Sequence, residues 1–132
     1  MKVVHVAAAV ILGTDGSILI ARRPDHIHKG GLWEFPGGKV EDGETVSDAL
    51  ARELDEELAI QVLAAEPLLE VRHDYPDKSV LLDVWCVSEY RGEPRGNEGQ
   101  PTRWVMPTQL IDFPFPEANQ PIIDAVISRF SE

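Results

Sequence analysis

The chain is short of several things, and each shortage excludes something. It has one cysteine, Cys86, so no internal disulfide can staple the fold, which fits a reducing cytoplasm. Cations are scarce: 12 Lys and Arg stand against 23 Asp and Glu, giving a formal net charge of −11 and a pI near 4.7. A nucleic-acid polymer needs a basic footprint, which this balance denies. A small phosphate compound is different, because metal ions can bridge two sets of negative charge, so phosphate chemistry here would be metal-dependent. Long apolar runs are missing. Val6 to Leu12 is too short to span a membrane and no small-residue cleavage site follows it, so neither a membrane span nor a signal peptide is expected. There is no repeat, low-complexity tract or Ser/Gly linker. There is also no G-x-G-x-x-G after a strand and no G-x-x-x-x-G-K-[ST], which argues against a Rossmann domain or a P-loop.

What remains is one ordinary domain over residues 1–132, with 43% apolar residues. Folding at this length hides roughly two-thirds of the unfolded surface, enough for a core without staples. Val3 to Leu12 reads as a strand, Thr14-Asp15-Gly16 as a turn and Ser17 to Ala21 as a second strand, a predicted hairpin. Arg22 to Gly31 is a polar loop, and Pro36-Gly37-Gly38 breaks a short apolar piece at Leu32 to Phe35. Thr45 is a good N-cap for a helix from Val46 to Leu58, with Asp48 placed for a variant capping box. Ile60 to Val71 and Ser79 to Ser88 read as strands about a turn at Tyr75-Pro76-Asp77. Arg91 to Pro101 is a loop, Arg103 to Val105 a short strand, and Pro107 to Ile111 one helical turn. Ile122, Ile123, Val126, Ile127 and Phe130 set a helical period for a C-terminal helix. The mixture predicts an α/β (α+β) fold: a mixed β-sheet between helices, an α/β/α sandwich.

The helix from Val46 carries Glu53, Glu56 and Glu57 on neighbouring turns. With Val46 at zero and a step of about 100° per residue, the apolar stripe of Val46, Leu50, Leu54 and Leu58 covers roughly 0° to 120°. Glu53 and Glu57 fall about 20° either side of zero, and Glu56 about 80° outside. Two acids therefore sit at the edge of the buried stripe. Partly buried, crowded carboxylates are costly unless a hard cation joins them. The alternative is a solvated acidic face. Arg52, the sole cation of the helix, stands four residues before Glu56 and can screen one charge but not three.

Gly38, five residues, Glu44, seven residues and then Arg52-Glu53-Leu54-Asp55-Glu56-Glu57 resembles the signature of the Nudix hydrolases, which cleave nucleoside diphosphates linked to another moiety. The pattern fixes roughly eight positions between Gly38 and Ile60, far more than a lone glycine motif. The resemblance implies that Glu53, Glu56 and Glu57 hold Mg²⁺ or Mn²⁺, that the Gly38 carbonyl adds a ligand, and that Arg52 and Glu44 pair to orient the acids. It implies water attack at phosphorus, with Glu53 closest to the base role and Glu98 the other candidate. Ala59 stands where the family usually has Gly; alanine resists positive φ, so the departure bears on the turn after the helix rather than on the acids.

Outside that run the chain is similar to the MutT-type branch, the 8-oxo-dGTP diphosphatases. The carriers are A-R-R-P at 21–24, L-W-E-F-P-G-G-K at 32–39, G-E-P-R-G-N-E-G-Q-P at 92–101 and P-E-A-N-Q-P at 116–121. Branches acting on CTP and other pyrimidine nucleotides share the first two. The resemblance implies a nucleoside triphosphate substrate and the task of clearing oxidised guanine nucleotides; a cytoplasmic protein, monomer or homodimer, is expected. Glu98 then lies in a segment that brings a further metal-binding or base carboxylate. Asn119 matches the asparagine that reads the base, and an amide suits an edge presenting O6 and a protonated N7. It is equally a fitting N-cap for the last helix. Arg23 could reach the nucleotide, where otherwise it is a surface cation; His28 and Phe35 could line the pocket, and Phe35 is equally a core residue. His5, His26 and His73 lack ligand-like spacing, and Trp33, Trp85 and Trp104 read as core. The rival readings are a CTP or other nucleotide pyrophosphohydrolase, a non-catalytic nucleotide-binding Nudix module, and an acidic cation-binding domain.

Overall fold

The computed structural model describes residues 2–25 and 30–130. Among these residues, seven strands and two α-helices follow in the order β1 (Lys2–Ile11), β2 (Ile18–Arg22), β3 (Trp33–Glu34), β4 (Gly37–Lys39), α1 (Val46–Leu58), β5 (Gln61–Asp74), β6 (Lys78–Arg91), β7 (Thr102–Val105) and α2 (Gln120–Phe130). Short 3₁₀ turns at Pro107–Asp112 and Glu117–Asn119 lead into α2. The architecture is the predicted mixed α+β sandwich, with its strands divided between two sheets. One is four-stranded and mixed, in the order β4-β1-β6-β5, with β1 and β6 parallel; the other is antiparallel, β3-β2-β7.

The alternation of side chains along β1 explains the layers. Ala7, Ala9 and Ile11 face a core built with Ala49, Leu50, Leu54 and Leu58 of α1. Ala8 and Val10 face the opposite core, built with Ile122, Ile123 and Val126 of α2. β2 does the same, with Leu19 on the α1 side and Ile18 and Ile20 on the α2 side. Each helix covers one face, so both faces of the central strands are dry.

The predicted hairpin is only a turn. Gly13 N–H donates to Ser17 O at 2.8 Å and Leu12 bridges Ile18, but beyond that point β1 and β2 part. The reason is that both edges of β1 are already taken, by β6 along its length and by β4 and the Pro36 carbonyl, which accepts from Ala9 N–H at 2.7 Å. β5 and β6 run further than the pattern predicted. β5 is an edge strand, which tolerates Pro67 beside a register shift between Pro67 and Leu69. Trp104 is not a core residue: it lies on edge strand β7 and is 39% exposed.

Helix α1 has the predicted limits. The Thr45 hydroxyl accepts from Asp48 N–H at 3.1 Å, as an N-cap should. At the other end Ala59 adopts the left-handed conformation, φ 58° and ψ 38°, so the turn keeps its geometry despite the missing glycine.

Candidate active site

The acids of α1 lie as their angles predicted. The Glu53 side chain is 17% exposed while that of Glu56 is 54% exposed. Strand β4 passes beside them. A Cβ at Gly38 would overlap the Glu53 carboxylate, so the bare glycine is what lets the acid lie against the strand. Gly37 N–H donates to Glu57 Oε2 at 3.1 Å.

Arg52 does more than screen one neighbour. Its Nε and Nη2 hold the two oxygens of Glu44 at 2.8 and 2.9 Å, Nη1 holds Glu53 Oε1 at 2.9 Å and lies 3.6 Å from Glu56, and Nη2 also reaches Lys39 O at 3.1 Å. Glu44 further accepts from Glu41 N–H at 2.9 Å. Hydrogen bonds from Arg52, and then from the Glu41 amide, hold the Glu44 carboxyl down at about 2.

The other acids are pushed the opposite way. Burial, and after it the negative charges of Glu34, Glu53 and Glu98, lifts Glu57 to about 8. Burial also raises Glu53, against the pull of Arg52. Burial raises Glu34 too, although Arg23 Nη1 donates to its Oε1 at 2.6 Å. Glu34 was not foreseen from the sequence. It occupies a two-residue strand, where no periodicity shows which way a side chain points. Its place inside the L-W-E-F-P-G-G-K run was the available signal.

Two clefts meet here. One, about 530 Å³, is lined by Glu34, Gly37, Glu57, Glu98 and Gln100. The second, about 310 Å³, is lined on the α2 side of the sheet by Val6, Ala8, Phe35, Tyr75, Lys78 and Asn119. Arg23, Glu34 and Gly37 belong to both walls. Phe35 is 4% exposed and stacks on Phe115 at 5.3 Å, so it is at once core and cleft wall. Asn119 does not cap α2 with its side chain; among the described residues its amide takes no hydrogen-bond partner. Tyr75 and Lys78, read from the sequence only as a turn and the residue after it, also line this cleft. His28 lies outside the described residues. His5 pairs with the buried Asp83 at 3.1 Å, away from either cleft wall.

The donors at the first cleft are carboxylates, hard oxygen ligands of the kind Mg²⁺ takes. Glu57 is half-buried among three other acids with one N–H for a partner, an excess of negative charge that a divalent cation would relieve. Among the described residues no three such side chains converge on one point, so the acids share a neighbourhood without forming a finished cage. No helix of the described residues is long and apolar enough to cross a membrane.

The NUDIX domain family model matches residues 7–125. The 8-oxo-dGTP diphosphatase of Escherichia coli (strain K12) is 38% identical over 123 residues, covering 93% of this chain and 95% of that protein. The CTP pyrophosphohydrolase of the same organism is 36% identical over 128 residues, covering 97% and 94%. A solved MutT structure, from work on Aliivibrio salmonicida and Vibrio cholerae, is 42% identical with a TM-score of 0.86, covering 98% of this chain and all of that one.

Proposed function

This chain belongs to the NUDIX domain family, among hydrolases of the MutT type, and from that premise we propose that it hydrolyses (8-oxo-)dGTP to the monophosphate and pyrophosphate with Mg²⁺, keeping oxidised guanine out of the nucleotide pool. The observation that carries the reading is the joining of the two clefts through Arg23, Glu34 and Gly37. One cleft ends on acids, the other on the unpartnered amide of Asn119. A nucleotide laid across the join puts its phosphates at the acids and its base beside Asn119 and Phe35. The amide then donates and accepts along a purine edge. Arg23 and His28 are the further substrate contacts on this reading.

Glu53, Glu56, Glu57, Glu98 and the Gly38 carbonyl are the ligands in this proposal. Bound Mg²⁺ would neutralise the pyrophosphate and make a water easier to deprotonate. Glu53 is the base in this proposal: Arg52 Nη1 holds its Oε1 in a fixed place against Gly38. Water oxygen bonds to phosphorus as the P–O bond to the departing group breaks, and Glu53 takes the water's proton. Arg52, fixed by Glu44, keeps that carboxylate from turning away.

A CTP-directed enzyme is the second reading, favoured by the similarity to the CTP pyrophosphohydrolase over nearly the whole chain. Turnover with Mg²⁺ on 8-oxo-dGTP, dGTP, CTP and ADP-ribose separates the two. Preference for 8-oxo-dGTP is expected; a wide preference for CTP or ADP-ribose defeats the substrate assignment. Glu53→Gln should keep the fold and lower kcat by about 10²–10⁴-fold, and a near-normal rate would remove Glu53 from the chemistry.

A further inference from the structure

The loop between β6 and β7 uses the C-terminal end of α1 as a dock. The last carbonyls of a helix have no partner within it. Ala59 N–H takes Asp55 O, and the loop takes the next three. Asn97 Nδ2 donates to Glu56 O at 3.0 Å, Asn97 N–H to Glu57 O at 2.9 Å, and Arg95 N–H to Leu58 O at 3.0 Å. Gln100 adds a fourth bond, from Nε2 to Glu57 O at 3.1 Å. Its other amide atom, Oε1, accepts from Glu98 N–H at 2.9 Å. One side chain therefore ties the backbone of Glu98 to the backbone of Glu57.

The turn so anchored is tight. Gly99 N–H closes it on Gly96 O at 2.9 Å, Gly99 sits at φ 85°, and a Cβ at Gly96 would overlap the Gln100 carbonyl. Glu98 rides at its tip, on the wall of the same cleft as Glu57. The two backbone groups that Gln100 serves are a carbonyl and an N–H, and a primary amide offers both the donor and the acceptor they need.

We infer that Gln100 is a positioning residue, which sets Glu98 at a fixed place against the acids of α1 by bridging the Glu98 amide to the Glu57 carbonyl. It does not touch substrate in this role; it acts through Glu98. The inference rests on the assignment of Glu98 to the reaction made above. Asn97 shares the docking but not the bridge, so its removal should matter less.

A double-mutant cycle tests this, with Gln100→Met chosen for similar length and no amide. Gln100→Met alone should lower kcat about 10- to 100-fold, the range for groups that orient a ligand, with KM little changed. In a Glu98→Gln background it should cost nothing more. Hydrogen exchange in metal-free protein gives a readout independent of turnover: the Glu98 amide should lose protection in Gln100→Met while the amides of β1 and β6 keep theirs. Asn97→Ala should leave the Glu98 amide protected and cost less activity. If Glu98→Gln costs activity but Gln100→Met is additive with it, or if the Glu98 amide exchanges unchanged, the positioning role is wrong and the assignment of Glu98 survives. If Glu98→Gln is silent, the assignment of Glu98 is itself wrong and the role falls with it.

Discussion

Arg52 grips Glu44 by a two-pronged contact, Nε to Oε2 at 2.8 Å and Nη2 to Oε1 at 2.9 Å, which leaves Nη1 aimed at Glu53. The fork fixes the plane of the guanidinium, and that plane fixes where the Glu53 carboxylate can lie. Lysine keeps the charge but loses the plane. Arg52→Lys should therefore fold normally and lose about 10- to 100-fold in kcat, with KM within about twofold. A variant with full kcat would show that charge alone is sufficient.

Gly38→Ala tests the contact from the strand side. The φ of Gly38 is not in the left-handed region, so the backbone accepts alanine; the obstacle is the Glu53 carboxylate. That carboxylate is the far end of a side chain, so it can swing aside without moving the backbone, but only by giving up its bond from Arg52 Nη1. The expected outcome is a Tm near that of the parent with kcat down at least about 10-fold, since small misplacements of a reacting group are costly. Added to Glu53→Gln, the substitution should have little further effect. A large additional loss would place the damage somewhere other than Glu53.

Ala59 sits in the left-handed region, which costs a non-glycine residue roughly 1 kcal/mol. Glycine removes that cost but gives some back through the freer unfolded chain. Ala59→Gly should gain about 0.5 kcal/mol or somewhat more and raise Tm by roughly 2–5 °C. The acids do not move, so kcat should stay the same. A lower Tm in differential scanning calorimetry would contradict the strain.

Glu57 predicts a pH dependence. Unfolded, it ionises near the ordinary 4.5; folded and metal-free, it keeps its proton to about 8. Between those values the native state binds the extra proton, so stability falls as pH rises through that window, by on the order of a few kcal/mol. Glu44, held at about 2, acts in the other direction and only at lower pH: its contribution is lost as pH falls from about 4.5 towards 2. Denaturation of EDTA-treated protein should give a lower midpoint at pH 8 than at pH 5.5. Glu57→Gln should flatten the difference, and Mg²⁺ should restore the midpoint at pH 8. Equal midpoints for the parent protein without metal would reject the buried-acid account.

Helix α1 and the places of Glu53 and Glu57 were legible in the sequence because they rest on local signals: an uninterrupted period of four, a capping threonine and the angle between neighbouring residues. The parting of β1 from β2 was not legible. A Thr-Asp-Gly turn looks the same whether or not its strands stay together, and what separates them is β6, paired to β1 from Lys2 against Lys78 onward. Glu34, Asn97 and Gln100 were missed for a related reason. Each gains its meaning from a partner far along the chain: Glu34 from Glu57, Asn97 from the Glu56 carbonyl and Gln100 from the Glu57 carbonyl. The exposure of Trp104 follows from its edge position, which only the order of the strands decides.

Ala7 and Ala8 are adjacent in the chain yet belong to different cores. Val6 and Ala8 line the cleft of Asn119, and Ala7, which also reaches that cleft, packs with Ala9 against α1, whose Glu57 lines the other cleft. On the proposed reading, the wall beside the base and the wall beside the acids draw mostly on opposite faces of one strand and join at Arg23, Glu34 and Gly37. Val6 and Ala8 can change with little disturbance to the packing of α1, whereas a change at the three shared residues is felt in both clefts. Kinship at nearly equal identity to a diphosphatase of an oxidised purine nucleotide and to a pyrophosphohydrolase of a pyrimidine nucleotide accords with variation on the base side of that join.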